Sequence, residues 1–299
     1  MGVDVGGTKI ECAVIASGNS PDAIVRRRIP TEGNGGYRHV LQRIAGLVRE
    51  VGEEAGLRPD VLGVGTPGTL DPDTGLLRGC NSQHLLERPF KADLEALLGI
   101  PIVVENDANC LALAETWMGV VPDLPGPKDV VFGVIMGTGV GGGLVVDGNL
   151  VTGANRITGE WGHNHLDDSG GRCWCGRTGC VETLLSGPAL ENFYREHAGF
   201  YLPLAEIADR ALSEDSIARQ TIDRLLTWFG RGIAGIINSI DPDIIVIGGG
   251  VGNIDLLYTH GLKQAARWVF SPTLKTRLVR PALGDSAGVF GAALLAAAS

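Results

Sequence analysis

One pattern occurs twice in this chain, near residue 2 and again near residue 128. An apolar strand-like run enters a glycine-rich turn and returns at once as a second strand. MGVDV runs into GGT and comes back as KIECAVIA, and DVVFGVIMG turns at GTGVGG and comes back as LVVDGN. The returning strand decides between readings, because a phosphate-binding P-loop and a dinucleotide fingerprint both require a helix to start where the glycines end. In the first turn Thr8-Lys9 also reverses the Lys-Ser/Thr order of a P-loop. The second turn matches G-x-G-x-x-G at Gly137, Gly139 and Gly142, and Glu160 lies near the spacing of a ribose-binding acid, yet a strand and a turn follow. The P-loop is rejected, and the dinucleotide match alone is weak evidence, with the strand after Gly143 arguing against a dinucleotide oxidoreductase. Singly, each turn is what a tight bend needing positive φ looks like. Together, two hairpin turns rich in backbone N–H groups, one in each half, are suited to gripping a polyphosphate. A third run, Gly248-Gly249-Gly250 after DIIVI, would let a flat base approach the backbone.

Between these turns strand and helix signals alternate, which makes an α/β protein. Val40, Leu41, Ile44, Leu47, Val48 and Val51 recur at helical spacing and predict a helix from about Tyr37 to Ala55. VLGVG and PIVVE read as short strands, and DANCLALAETWMG as the helix after the second of them. Three helical patterns follow the cysteines as far as about Ser239, and an Ala-rich helix follows Gly284. With 299 residues there is room for two domains, and Pro122, Pro125 and Pro127 mark the expected boundary. Residues 1–122 form the first domain, with the helix of about 284–299 expected to pack back on it, and 123–283 form a larger second one. No basic n-region with an apolar h-region opens the chain and no run is long enough to span a membrane, so a soluble cytoplasmic protein is expected. A net charge of -9 disfavours a nucleic-acid surface but not a small anion held by backbone amides.

The cysteines are unevenly spread. Three of the six fall in GHNHLDDSGGRCWCGRTGC, spaced C-x-C-x4-C behind one or two histidines. In a reducing compartment such a cluster favours a metal or reduced thiols over disulfides. Cys12 and Cys110 sit in apolar patterns as small core residues, and Cys80 has no assigned role.

DVGGTK, the G-T-P-G of Gly65 to Gly68, ENDANC, GTGVGGG, GEWGH, CWCGRTGC and IVIGGGV occur in this order and resemble the ROK family of sugar kinases along essentially the whole chain. The resemblance implies a two-domain actin-like, ribonuclease-H-like ATPase fold with an interdomain active-site cleft that holds a hexose, ATP and Mg2+. By it, Asp4 lies near the metal and phosphates. Gly6, Gly7, Thr8 and Lys9 form one phosphate turn, and Gly137, Thr138, Gly139, Val140, Gly141, Gly142, Gly143 and Leu144 the other. Gly249 and Gly250 fall at the nucleotide end. Asp107 matches the catalytic base, although an aspartate between a strand and a helix reads on its own as an N-cap. Asn106, Glu160, His163 and Glu182 match sugar contacts, and Gly68 and Asn81 line the same pocket. His163, Cys173, Cys175 and Cys180 match the ligands of a structural zinc, a closed tetrahedron with no position left for water, with His165 a bystander. A homodimer is also implied.

The rival class is a sugar-responsive ROK regulator, for which a DNA-binding segment is expected ahead of GVDVGGTK. Among acceptors, NSQHLLERPF and GEWGHNHL lean toward fructose or mannose; N-acetylglucosamine, N-acetylmannosamine and glucose are the alternatives.

Overall fold

The computed structural model describes residues 1–16, 20–80 and 82–297. They fall into two compact units: Met1–Pro125 with Gly143–Thr158 and the chain from Pro281 onward, and Gly126–Gly142 with Gly159–Arg280.

The first unit is built on β1 (Gly2–Val5), β2 (Lys9–Ile15), β3 (Ala23–Pro30), α1 (Tyr37–Ala55), β4 (Leu62–Thr66), the hairpin β5 (Thr69–Leu70) and β6 (Leu77–Arg78), α2 (Phe90–Leu98), β7 (Ile102–Asn106) and α3 (Asp107–Trp117). Its sheet runs β3-β2-β1-β4-β7. β1, β2 and β3 form an antiparallel meander, whereas β1, β4 and β7 are parallel, with Val3 beside Val64 and Val64 beside Val104. The two faces follow from the period-two alternation of strand side chains. Val3, Val5, Leu62 and Val64 join the core of α1 and α2. The residues between them are small or acidic, because a Cβ on Gly2 or Gly63 would strike the backbone of a C-terminal helix, at Ala293 and Ala292 respectively. α1 has its expected bounds, its apolar stripe buried and its end closed by Gly56 in the left-handed region, as helix C-caps favour.

The second unit opens with β8 (Val130–Met136), flanked by the start of β9 (Val140–Val146) and by the later strand β11 (Ile244–Gly248). The latter half of β9 and β10 (Asn149–Val151) pair antiparallel in the first unit, Leu144 beside Val151. Helices α4 (Glu182–Leu185), α5 (Gly187–Ala198), α6 (Leu204–Ala211) and α7 (Ser216–Ile240) precede β11 (Ile244–Gly248), α8 (Leu262–Ala266) and β12 (Arg277–Val279). β11 is parallel to both β8 and β12. Asp215 Oδ1 accepts the Ile217 and Ala218 N–H groups and so caps α7. The last helix, α9 (Ala287–Ala297), belongs to the first unit. Among the described residues no helix is long and apolar enough to cross a membrane.

Candidate active site

In the first unit the candidate residues gather at one end of its parallel strands. Gly6 and Gly7 make the bend between β1 and β2, with the Gly6 N–H donating to the Lys9 carbonyl at 2.9 Å. A strand follows the glycines, as the hairpin reading required. Thr31 closes the bend from the side, its hydroxyl donating to the Gly6 carbonyl at 2.7 Å. Lys9 Nζ reaches Asp285 at 3.4 Å.

Asp4, in β1, faces α9, where a Cβ on Gly288 would lie 2.8 Å from its carboxylate. Burial pushes its carboxyl up to about 7, with the charges of Asp107 and then Glu11 adding to the rise. Glu11 is itself fully buried and is held by Arg26 at 3.0 Å and Arg28 at 2.7 Å.

At the junction of β7 and α3 one expectation is corrected. Asn106, not Asp107, is the N-cap: its backbone is extended and its Oδ1 accepts the Ala108 N–H at 2.8 Å. Asp107 is the first helical residue, and its Oδ1 accepts the same N–H at 2.8 Å. Asn and Asp are comparable caps, so the sequence alone does not say which of two neighbours takes that position. Gly68 lies where a Cβ would press on the Arg78 carbonyl and Cys80. Asn81 lies outside the described residues. Val140, Gly141, Gly142, Gly143 and Leu144 stand in β9 rather than in a turn, and a Cβ on Gly143 would meet the Ala108 carbonyl and Asn109 of α3.

In the second unit the bend between β8 and β9 is confined to Gly137, Thr138 and Gly139, closed by the Gly137 N–H donating to the Gly139 carbonyl at 2.9 Å. Gly249, after β11, has φ 83°, and a Cβ there would strike the Met136 carbonyl, so β8 itself demands this glycine. A Cβ on Gly250 would meet nothing within 4 Å among the described residues. Glu182 is buried, with Oε1 accepting from the Trp174 indole at 2.7 Å and Oε2 from the Val140 N–H at 2.9 Å. A carboxylate accepts about four hydrogen bonds, so acceptor capacity remains on both oxygens. Glu160 lies near enough for Glu182 to matter: burial first, then the Glu182 charge, raises its carboxyl.

His163, Cys173, Cys175 and Cys180 bring one ligand atom each to within 4.8 Å of one another. Cys175 and Cys180 Sγ are 3.6 Å apart, as are Cys173 Sγ and His163 Nδ1. A zinc tetrahedron with Zn–S bonds of about 2.3 Å has S–S edges of about 3.8 Å, so the donor set fits this ion in number, chemistry and spacing. Burial, reinforced by Cys175 and Cys173, pushes the Cys180 thiol up to about 12; a bound dication would reverse that and hold the sulfurs as thiolates. His165 turns away and places Nε2 3.0 Å from Asp168. Cys12, Cys80 and Cys110 are buried elsewhere.

Two residues that sequence reasoning passed over join the first cluster. Glu105 precedes Asn106, and Arg156 reaches it across 51 positions of sequence.

Residues 1–299 match the ROK family. The N-acetyl-D-glucosamine kinase of Vibrio atlanticus (strain LGP32) is 35% identical over 98% of both chains. Among solved structures, the ROK hexokinase of Thermus thermophilus superposes with a TM-score of 0.85 at 32% identity, covering 98% of this chain and 96% of that one. A ROK family glucokinase from Streptomyces griseus, in complex with glucose and AMPPNP, superposes at 0.82 with 27% identity over 100% of this chain and 99% of its own. The α/β architecture is therefore that of the actin-like ATPases, and with its motifs in order along the full length of such relatives the chain belongs to the ROK family.

Proposed function

We propose that the chain is an ATP-dependent sugar kinase that transfers the γ-phosphoryl group of ATP to a hexose hydroxyl. The observation that carries this reading is Asp107 opening α3 immediately after the Asn106 cap, close enough to Asp4 for its charge to act on that carboxyl, in a chain whose full-length relatives are sugar kinases. In the reaction the sugar oxygen forms a bond to the γ-phosphorus, the bond from that phosphorus to the β–γ bridging oxygen breaks, and Asp107 takes the hydroxyl proton. Asn106 contributes its side-chain amide to the sugar, and Glu160, His163 and Glu182 present further partners for its vicinal hydroxyls. Backbone N–H groups of the two glycine bends receive the phosphates. A magnesium ion bound with ATP would supply charge neutralisation there, with Asp4 the carboxylate on its side. Zinc on His163, Cys173, Cys175 and Cys180 would be structural, leaving the second nitrogen of His163 for the sugar.

N-acetyl-D-glucosamine is the acceptor to place first, because it is named in the relatives of 33 to 35% identity; fructose and mannose, favoured by the sequence reading, come next. A coupled ADP-release assay across N-acetylglucosamine, N-acetylmannosamine, glucose, mannose and fructose tests the proposal. Turnover with N-acetylglucosamine above the others is the expected outcome, and none with any of the five removes the kinase assignment.

A further inference from the structure

Arg156 lies in the irregular stretch 152–158 and has φ 53°, a left-handed conformation that a residue with a long side chain adopts only where its surroundings hold it. Two arginines fasten this stretch. Arg78, paired with Asp71 at 2.5 Å, donates from Nη2 to the Asn155 carbonyl at 2.8 Å. Arg156 places its own Nη2 2.9 Å from Glu105 Oε2. The Glu105 side chain is only 4% exposed, and a charge so buried requires a paired cation. Its second oxygen, Oε1, accepts the Asn106 N–H and the Asn109 side-chain amide, both at 3.1 Å. A single carboxylate thus joins Arg156 to the backbone that carries Asn106 and to the first turn of α3, where Asp107 stands. Two buried polar atoms of the same network, Arg156 Nε and Asn109 Oδ1, have no hydrogen-bond partner among the described residues.

We propose that Arg156 is a positioning residue for the Asn106–Asp107 pair and acts through Glu105. The proposal rests on the reading of Asp107 as proton acceptor. Arg156 neutralises Glu105, Glu105 fixes the Asn106 peptide, and that peptide sets the direction from which Asp107 meets the sugar hydroxyl. No step of this chain touches ATP. Geometry at the reacting oxygen is what the pair secures, and displacements on the order of 1 Å at such a centre lower rates by about a hundredfold.

Arg156→Met keeps the length and apolar stem of the side chain but leaves Glu105 buried without its cation. Its kcat on the best sugar should fall about tenfold or more while KM for ATP stays within about twofold. Adding Glu105→Gln to Arg156→Met removes the stranded charge yet retains an acceptor for the Asn106 N–H, so most of the lost kcat should return. Amide exchange at Asn106 to Cys110, read without sugar, should quicken about tenfold in Arg156→Met and slow again in the double variant. A kcat within about twofold of wild type in Arg156→Met, or a double variant no faster than the single one, overturns the proposal. Should the wild-type chain phosphorylate none of the sugars, the kinase reading falls and the exchange arm decides alone, unchanged exchange in Arg156→Met overturning the pairing. Should Arg156→Met fail to fold, recovery of folding in the double variant is the expected result, and a double variant that also fails overturns it.

Discussion

The carboxylates around β1, β7 and α3 and the thiols of residues 173–180 present the same physical problem, several ionisable groups crowded into little water, in two different settings. Asp4, Glu105 and Asp107 stand on or beside strands whose ladders fix the backbone without their help. Their repulsion is met locally: Arg26 and Arg28 hold Glu11, Arg156 holds Glu105, and Asp4 keeps its proton up to about 7. The thiols stand in a stretch with almost no ladder. Between Gly159 and Val181 the chain makes two short 3-10 turns, Trp161–His163 and Asp168–Gly170, and the isolated bridges His165 to Cys180 and Arg172 to Thr178. A sheet can carry acids whose charges oppose one another, whereas a loop of this kind needs a cross-link, and the Cys3His set is the cross-link available. The same loop carries Glu160 and His163, and Glu182 follows it directly.

The largest effect should therefore come from cutting that cross-link. Protein purified without added zinc should retain about one zinc per chain, since structural zinc in small domains is held by roughly 10 to 16 kcal/mol at neutral pH. Cys175→Ser should lose the metal, lower the melting temperature and weaken sugar binding together. Hydrogen exchange separates the two regions: protection should collapse across residues 160–182 and persist in α3. Less than about 0.2 equivalents of zinc in a fully active preparation sinks the idea.

Next in size is Asp107→Asn, and the corrected cap makes it a cleaner experiment. Because Asn106 Oδ1 holds the Ala108 N–H, the helix start does not depend on the charge of Asp107, and the amide still accepts a hydrogen bond. As the proton acceptor, Asp107 cannot be replaced by an amide, so kcat should fall by at least about a hundredfold with the melting temperature and ATP affinity near wild type. More than about a tenth of wild-type kcat in this variant would end the assignment and direct attention to another carboxylate of the first unit.

The two regions also differ in how much of them the sequence discloses. α1 was legible to its end residues because its apolar positions keep a 3.6 period and Gly56 stops it. The hairpin bends were legible because the residues after the glycines are strand-like in both places. The Cys3His cluster was legible because its four residues fall within 18 positions of sequence, His163 to Cys180. β3 was not, since its central residues are Arg26, Arg27 and Arg28, which hide a strand pattern until Glu11 is seen beneath two of them. Nor was Arg156, whose partner is 51 positions away. Local signals report local structure, and an ion pair closed by tertiary folding leaves only an arginine in a glycine-rich stretch.

The smallest effect sharpens the carboxylate side of the comparison through pH. Asp4 is raised from 3.8 to about 7 by burial, then by Asp107 and Glu11. The folded protein thus keeps a proton that the unfolded chain releases near pH 4, and stability falls as pH rises from about 4 to about 7, where the folded state must at last bury the charge. Asp4→Asn cannot ionise and should remove that decline. Its melting temperature should exceed that of wild type by a few degrees at pH 8, where about 1 kcal/mol of relief corresponds to roughly 2 to 4 °C in a chain of this size, and the difference should shrink toward pH 4. Parallel melts of the two proteins from pH 4 to 8 read this directly. A constant difference across that range would mean that Asp4 titrates as an ordinary carboxylate, and that its neighbours balance it as fully as Arg156 balances Glu105.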